Sequence, residues 1–284
     1  MYQKRVAAIH DISGVGKCSL TVALPIISVA GIECCPIPTA VLSNHTGGFG
    51  GFTFKDLTDE ILPIVDRWEK EGFEFDAIYS GYLGSERQVD ILSLAIDRLK
   101  GEKTKVIIDP VMGDNGSLYC SFASGFPEKM RELCKKADVI TPNVTEASLM
   151  LKTEYKAPPY DEKYIEDLLY GLKEICDGTI VLTGVSFEDN KLGAAAISSK
   201  DGKISYFFGD KVDGMYHGTG DVFASALVSA LVSGLTVEKA LSVAVEFTCA
   251  SIKNTSDNYK DLWYGVNFEG VLTKLPSLLG GENG

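Results

Sequence analysis

The sequence predicts an α/β fold: a mostly parallel sheet with helices on both faces and an antiparallel hairpin at one edge. Three observations predict it. Short apolar, often β-branched runs alternate with longer helical stretches, the pattern of repeated βαβ units. Polar and glycine-rich segments follow strand after strand, at 10–17, 43–51, 80–85, 109–116, 141–146 and 183–184. A chain of 284 residues, 45% hydrophobic, suits one large domain over 1–284 with a sizeable core.

The elements run in order. Val6 to Ile9 reads as a short buried strand, followed by a glycine-punctuated turn and a helix from about Lys17 to Val29. Ile32 to Thr39 is a second strand, Leu57 to Glu71 a helix, Ala77 to Tyr79 a strand and Glu86 to Leu99 a helix. Lys105 to Ile108 is a β-branched strand, Pro127 to Lys135 a helix, Val139-Ile140 a strand, Ile165 to Ile175 a helix and Thr179 to Leu182 a strand. Ala194 to Ser198 and Lys203 to Phe208, joined by Asp201-Gly202, read as the hairpin. Two long apolar helices follow, Asp221 to Val232 and Val237 to Lys253, separated by Ser233-Gly234. The tail, from about 278 to 284, is expected to be disordered.

Composition narrows the function. The balance of 27 basic against 39 acidic residues, net charge -12, argues against nucleic acid or an anionic membrane as partner. It leaves room for a small anion such as ATP, because local N–H groups and metal ions outweigh a global field. The seven cysteines form no C-x-x-C pair and are odd in number, so buried free thiols in a reducing cytosol are expected. The N-terminus carries no signal-peptide pattern and no apolar run is long enough to span a bilayer, so a cytoplasmic enzyme is the expectation.

In a sheet of this kind, ligands bind outside the carboxyl ends of the strands. The most specific segment there is Gly218-Thr219-Gly220-Asp221, directly ahead of a nearly all-apolar helix. It is either an ordinary glycine-rich helix start or a phosphate site with a proton acceptor beside it. The length and apolarity of the helix favour the second, because a buried helix directs its N–H ends into a low-dielectric cleft.

The other segments carry a bland reading each. Ser13-Gly14-Val15-Gly16-Lys17-Cys18 is not a P-loop, since Asp11 and Cys18 stand where the motif needs Gly and Ser or Thr. Asp11 can serve as a turn residue or face a ligand. Ser43-Asn44-His45-Thr46 can be a solvated turn. Tyr82, between glycines, can stack on a planar ring or on the neighbouring loop. Asp109 and Asp114 are hard oxygen donors of the kind a divalent ion shares with nucleotide phosphates. Glu146, after Thr141-Pro142-Asn143, reads alone as a capping-box glutamate. A zinc site on His10, His45 and His217 is disfavoured, because no spacing resembles a metal-ligand helix.

Taken together, the chain resembles the ribokinase-like superfamily and, within it, the pyridoxal kinases. The residues that carry the resemblance are Ser-Asn-His-Thr at 43–46, Ser-Gly-Tyr-Leu-Gly-Ser at 80–85, Asp-Pro-Val-Met-Gly-Asp at 109–114, Thr-Pro-Asn with Glu146, and Gly-Thr-Gly-Asp at 218–221. They follow the family's order and span about the first 220 residues. The resemblance implies a three-layer α/β/α sandwich and ATP-dependent phosphorylation of the 5′-hydroxymethyl group of a vitamin B6 vitamer. It implies that Asp221 is the catalytic base and that Gly218, Thr219 and Gly220 form the anion hole around the transferred phosphate. Thr46 and Tyr82 match contacts to the pyridine ring. Asp109, Asp114 and Glu146 match acidic positions that organise Mg²⁺ and a monovalent cation, K⁺ or Na⁺, around ATP. Thr141, Asn143 and Thr183 match positions near the phosphates, and Tyr119 a nucleotide contact on a flap. A homodimer is implied by the family's habit.

One departure is notable. Asp11 stands where many pyridoxal kinases place a substrate-touching serine, and Asp-x-Ser-Gly-x-Gly is closer to the hydroxymethylpyrimidine kinases of thiamine synthesis. Asp11 is therefore expected to meet the substrate, with pyridoxamine or the aminopyrimidine favoured by its charge. A sugar kinase ranks lower, because the chain between the first two helices is short for the β-sheet lid such enzymes often carry. A non-catalytic vitamer-binding regulator ranks lower too, since base and glycines are both present.

Overall fold

Strand β1 (Arg5–Val15) shows why helices form two layers in this protein. Val6 and Ala8 face one apolar layer while Ala7 and Ile9 face the other, as the two-residue period of a strand requires. A strand apolar on both faces must be covered on both. The computed structural model describes residues 2–259 and 261–280.

The chain continues with α1 (Leu20–Val29), β2 (Glu33–Asn44), β3 (Phe54–Asp56), α2 (Thr58–Glu71), β4 (Ala77–Ser80), α3 (Glu86–Leu99) and β5 (Lys105–Ile108). A small hairpin, β6 (Gly113–Asp114) and β7 (Ser117–Leu118), precedes α4 (Phe126–Cys134), β8 (Val139–Ile140), α5 (Val144–Leu151), α6 (Glu162–Lys173) and β9 (Thr179–Val185). Then come β10 (Lys191–Ile197), β11 (Ile204–Asp210), α7 (Thr219–Ser233), α8 (Val237–Asn258), a 3₁₀ turn at Glu269–Val271 and α9 (Lys274–Leu278). The main sheet has nine strands in the order β11-β10-β9-β8-β5-β4-β1-β2-β3. The stretch from β9 to β2 is parallel, β10 and β11 form the antiparallel edge, and β3 adds an antiparallel strand at the other edge. Helices α2 to α6 cover one face, and α1, α7, α8 and α9 the other. The expected three-layer sandwich is therefore the observed architecture.

Several boundaries differ from expectation for local reasons. β1 runs on to Val15, because β2 extends in parallel with it as far as Asn44. Most of the segment expected as a loop at 10–17 is thus strand, and α1 starts at Leu20 rather than Lys17. β3 has three residues, all exposed, and so no periodicity to announce it. The β6–β7 hairpin turns on Asn115 and Gly116, both at positive φ (49° and 77°), an Asn-Gly signal that does mark it in the sequence. At the C-terminus, Leu278 ends α9 and the Gly280 N–H bonds the Ser277 carbonyl. Residues 281–284 lie outside the described part. All seven thiols are free, but only Cys134 and Cys176 are buried, and Cys120 is exposed. The remaining four sit at partly covered positions on β2, α8 and the turn before α1. Among the described residues no helix is long and apolar enough to cross a membrane.

The helix that matters most is α7. Every residue from Val222 to Val232 is buried, including Ser225 and Ser229. Ser229 satisfies its hydroxyl on the carbonyl four residues back, as a buried helical serine must. α7 packs on the sheet, α1 and α8, and ends at Gly234 in the left-handed conformation. Leu227→Ala should lower unfolding stability by about 2–5 kcal/mol in urea titrations. A loss under about 1 kcal/mol would contradict a fully enclosed α7.

Candidate active site

The start of α7 lies near the carboxyl end of β4, where His10 of β1 and Ser19 meet Asp221. Its first turn has no side-chain cap, and Gly218 precedes it at φ 82°. A side chain is excluded there, since a Cβ on Gly218 would overlap the Lys17 carbonyl. Gly220, by contrast, has open space beside it. Thr219 turns its hydroxyl back onto the Tyr216 carbonyl at 3.2 Å. The result is a helix end whose amides meet no protein cap, next to unfilled space, which is a natural position for an anion.

Asp221 stands in this first turn, its side chain 14% exposed. Its Oδ2 accepts the Ser19 N–H at 2.9 Å and its Oδ1 lies 3.1 Å from His10 Nε2. Ser19 is held at φ 63°, which aims its N–H at the carboxylate. On the other side of His10, Nδ1 lies 3.2 Å from Asp11 Oδ1. Asp11 also accepts Ser19 Oγ at 2.5 Å and Ser13 Oγ at 3.1 Å. Burial works against its charge, but His10, Ser19 and Ser13 outweigh that and hold its carboxyl below the usual range. Asp11, expected to meet the substrate, is 3% exposed and commits its oxygens inside the protein. Sequence reasoning missed His10 and Ser19. The signal was available: two adjacent polar residues inside an otherwise apolar central strand need partners.

A second acidic group sits past β5. Burial and the charge of Asp221 push the Asp109 carboxyl up, despite His10 nearby. The Thr141 hydroxyl stands near Asp109 and is buried without full hydrogen-bond geometry. Burial and Asp109 likewise raise Glu146 well above the usual range, against the pull of backbone N–H groups. Two crowded buried acids and an orphan hydroxyl fit a hard cation, which would relieve the repulsion. The expected trio is nevertheless not a cage. Glu146 accepts the Met112 N–H at 3.0 Å and the Asn143 N–H at 2.9 Å and completes a capping box with Asn143. Asp114 sits exposed on the β6–β7 hairpin and accepts the Asn115 N–H. Among the described residues no three His, Cys, Asp or Glu side chains form a metal-binding group. Asp109 is the acid of the three best placed to take a metal directly, with Glu146 behind it.

The remaining candidates are placed as follows. Asn143 caps α5 and donates to the Gly113 carbonyl at 2.9 Å, so its side chain ties the hairpin to the helix. Thr183 bridges to Asn143, its N–H bonding the Pro142 carbonyl at 2.9 Å. Tyr119 is 40% exposed beyond the hairpin, near Phe122. Tyr82 is half-buried, its ring 5.7 Å from Phe122. Thr46 is exposed in the loop between β2 and β3. That loop is tied down by His45, which accepts the Gly47 N–H at Nδ1 and donates from Nε2 to the Tyr264 carbonyl at 2.6 Å. The His45 ring lies 5.0 Å from that of His217, which brings the loop to the residue preceding Gly218.

The sequence profile of the phosphomethylpyrimidine kinase family matches residues 25–262. A solved phosphomethylpyrimidine kinase-like protein from Bacteroides thetaiotaomicron, crystallised with pyridoxal, is 40% identical, with TM-score 0.90 over 96% of each chain. Pyridoxal kinase from Lactobacillus plantarum is 28% identical, with TM-score 0.88 over 100% of both chains. Pyridoxine kinase from Bacillus subtilis is 29% identical over 194 residues, or 65% of this chain and 66% of that protein. The chain thus spans just under two thirds of that relative's length.

The acidic crowding has a measurable consequence. Asp109, raised in the folded state, keeps a proton there that the unfolded chain releases near pH 4. Stability therefore falls as pH rises from that point through the folded-state value. Asp109→Asn, which stays neutral, should gain little over the native chain at pH 4 and progressively more toward pH 8. The gain should reach roughly a few kcal/mol by pH 8. Urea titrations without metal or nucleotide check it, and a difference independent of pH would contradict the raised carboxyl.

Proposed function

The chain belongs to the phosphomethylpyrimidine kinase family, in the ribokinase-like superfamily, and on that premise we propose that it is a vitamin B6 kinase. It transfers the γ-phosphoryl group of ATP to the 5′-hydroxymethyl group of pyridoxal, pyridoxamine or pyridoxine. The observation that carries this reading is Asp221 held by both oxygens in the first turn of an uncapped, buried helix. The choice of ring is supported by the Bacteroides relative that holds pyridoxal and by the Lactobacillus pyridoxal kinase. Asp11 does not tilt the choice toward the aminopyrimidine, because its carboxylate is committed to Ser13, Ser19 and His10.

Asp221 accepts the proton of the 5′-hydroxyl as that oxygen bonds the γ-phosphorus and the bond to the β-phosphate oxygen breaks. The amides at 218–220 face the charge spread over the moving phosphoryl group and require no reorganisation as it develops. Tyr82 and Thr46 line the ring side. Tyr119, Thr141, Asn143 and Thr183 line the nucleotide side. Asp109, backed by Glu146 and with Asp114 at the rim, would hold Mg²⁺ and a monovalent cation. Mg²⁺ there supplies neutralisation of the β- and γ-phosphate charge. Most of the rate comes from positioning and fixed electrostatics. A cytoplasmic homodimer completes the proposal.

Asp221→Ala should lower kcat by about 10²–10⁴-fold while ATP binding survives. The measurement is coupled ADP release with pyridoxal, pyridoxamine, pyridoxine and the aminopyrimidine, with and without K⁺. Near-normal turnover in the variant rejects Asp221 as base. Preference for the aminopyrimidine in the native enzyme rejects the B6 reading.

A further inference from the structure

His10, on β1, is 1% exposed, and nothing in the proposed reaction touches it. Its contacts close a ring of four residues. His10 Nε2 meets Asp221 Oδ1, the Ser19 N–H meets Asp221 Oδ2, Ser19 Oγ meets Asp11 Oδ1, and that same oxygen meets His10 Nδ1. Each of the two Asp221 oxygens is therefore fixed by a different donor, and the donors are fixed by one another through Asp11.

Three further observations fit this arrangement. The register between β1 and β2 slips between His10 and Ile12, a local irregularity of the kind that re-aims side chains next to functional sites. Gly81 follows β4 with no side chain, and a Cβ there would overlap the His10 ring. The ring of Tyr79, itself buried in the core, meets the imidazole edge-on at 6.1 Å. The ring therefore sits in a slot shaped for it.

The proton assignment follows from the partners. A carboxylate only accepts, so Nε2 carries a proton toward Asp221. Nδ1 faces Asp11 Oδ1 and, also at 3.2 Å, the Asp11 N–H. A carboxylate on each side of the ring favours the charged imidazole, with a proton on both nitrogens. Burial works against charge on His10, but hydrogen bonds to Asp11 and Asp221 and their charges push it up to about 10. The groups that bear on it are Asp11 on its own strand, Asp221 from α7, Asp109 beyond β5 and the Tyr79 ring from β4.

We propose that His10 is a positioning residue for Asp221, donating its Nε2 proton to Oδ1 so that the carboxylate is held in one orientation toward the acceptor hydroxyl. It touches neither substrate and acts through Asp221, so the inference rests on Asp221 being the base. Asp11 and Ser19 hold His10 and Asp221 in turn.

The test is a set of variants read in several ways. His10→Leu, of similar size and without a donor, should lower kcat by about 10- to 100-fold and leave KM for ATP and for the vitamer within about twofold. His10→Gln, whose amide can still donate to Asp221, should recover most of that loss. Gly81→Ala, which displaces the ring without removing it, should reproduce the kcat defect if His10→Leu fails to fold. His10→Leu placed on Asp221→Ala should cause no further loss of residual turnover. Independently of turnover, ¹⁵N NMR of the imidazoles should find both His10 nitrogens protonated at pH 8, with His45 and His217 assigned by substitution. That state should be lost in Asp221→Ala. A His10→Leu enzyme with native kcat overturns the proposal, and so does an equal loss in His10→Leu and His10→Gln. A native protein inactive on every vitamer overturns the assigned function instead, and the NMR signal then decides whether the His10–Asp221 contact exists.

Discussion

The site depends on one constraint: a helix buried from Val222 to Val232 must leave its first-turn amides at a defined place. Nothing caps the start of α7, and Gly218 brings the chain so close to Lys17 that no side chain fits between. The turn before α1 and the start of α7 are therefore locked together. Lys17 strengthens this, since its ammonium pairs with Glu269 and lies 5.5 Å from the Phe268 ring. Ser19 and Asp221, some 200 residues apart in the chain, meet because these two helix starts meet.

Charge follows from the same placement. Asp11, within β1, reaches Asp221 through His10, while Asp109, just past β5, lies near Asp221 with Glu146 beside it. Four acids in a low-dielectric cleft repel one another, and each must be paired, protonated or relieved by a cation. Asp11 and Asp221 are relieved by the imidazole between them. Asp109 and Glu146 have no comparable side-chain partner, and their carboxyls are pushed up instead. The cleft is thus divided, with a half compensated by the protein beside the proposed base and a half that a cation would complete.

The comparison with sequence expectation is instructive at particular residues. Glu146 was legible as a capping-box residue from its spacing to Asn143, and that is where its hydrogen bonds go. Its place beside Asp109 was implied by the family resemblance and not by spacing, because 37 residues of chain separate them and the pairing of β5 with β8 brings their ends together. Asp11 was legible as unusual, but it was not legible that His10 and Ser13 on its own strand and Ser19 beyond the turn take up its oxygens. The small hairpin at 113–118 was not expected although Asn115-Gly116 carries its turn signal, whereas three-residue β3 carried no period at all.

The sequence by itself determined the layers, the order of most elements and the rank of loops at one sheet edge. Those follow from local periodicity, and a strand or helix is specified by residues a few positions apart. It also determined the helix start at 218–221, since two glycines, an aspartate and an apolar run are adjacent in the chain. Only the tertiary structure decided which polar groups face the cleft and which are consumed within it. That choice depends on hydrogen bonds between β1, the turn at Ser19 and α7, and the burial of a charge is determined by what surrounds it in space.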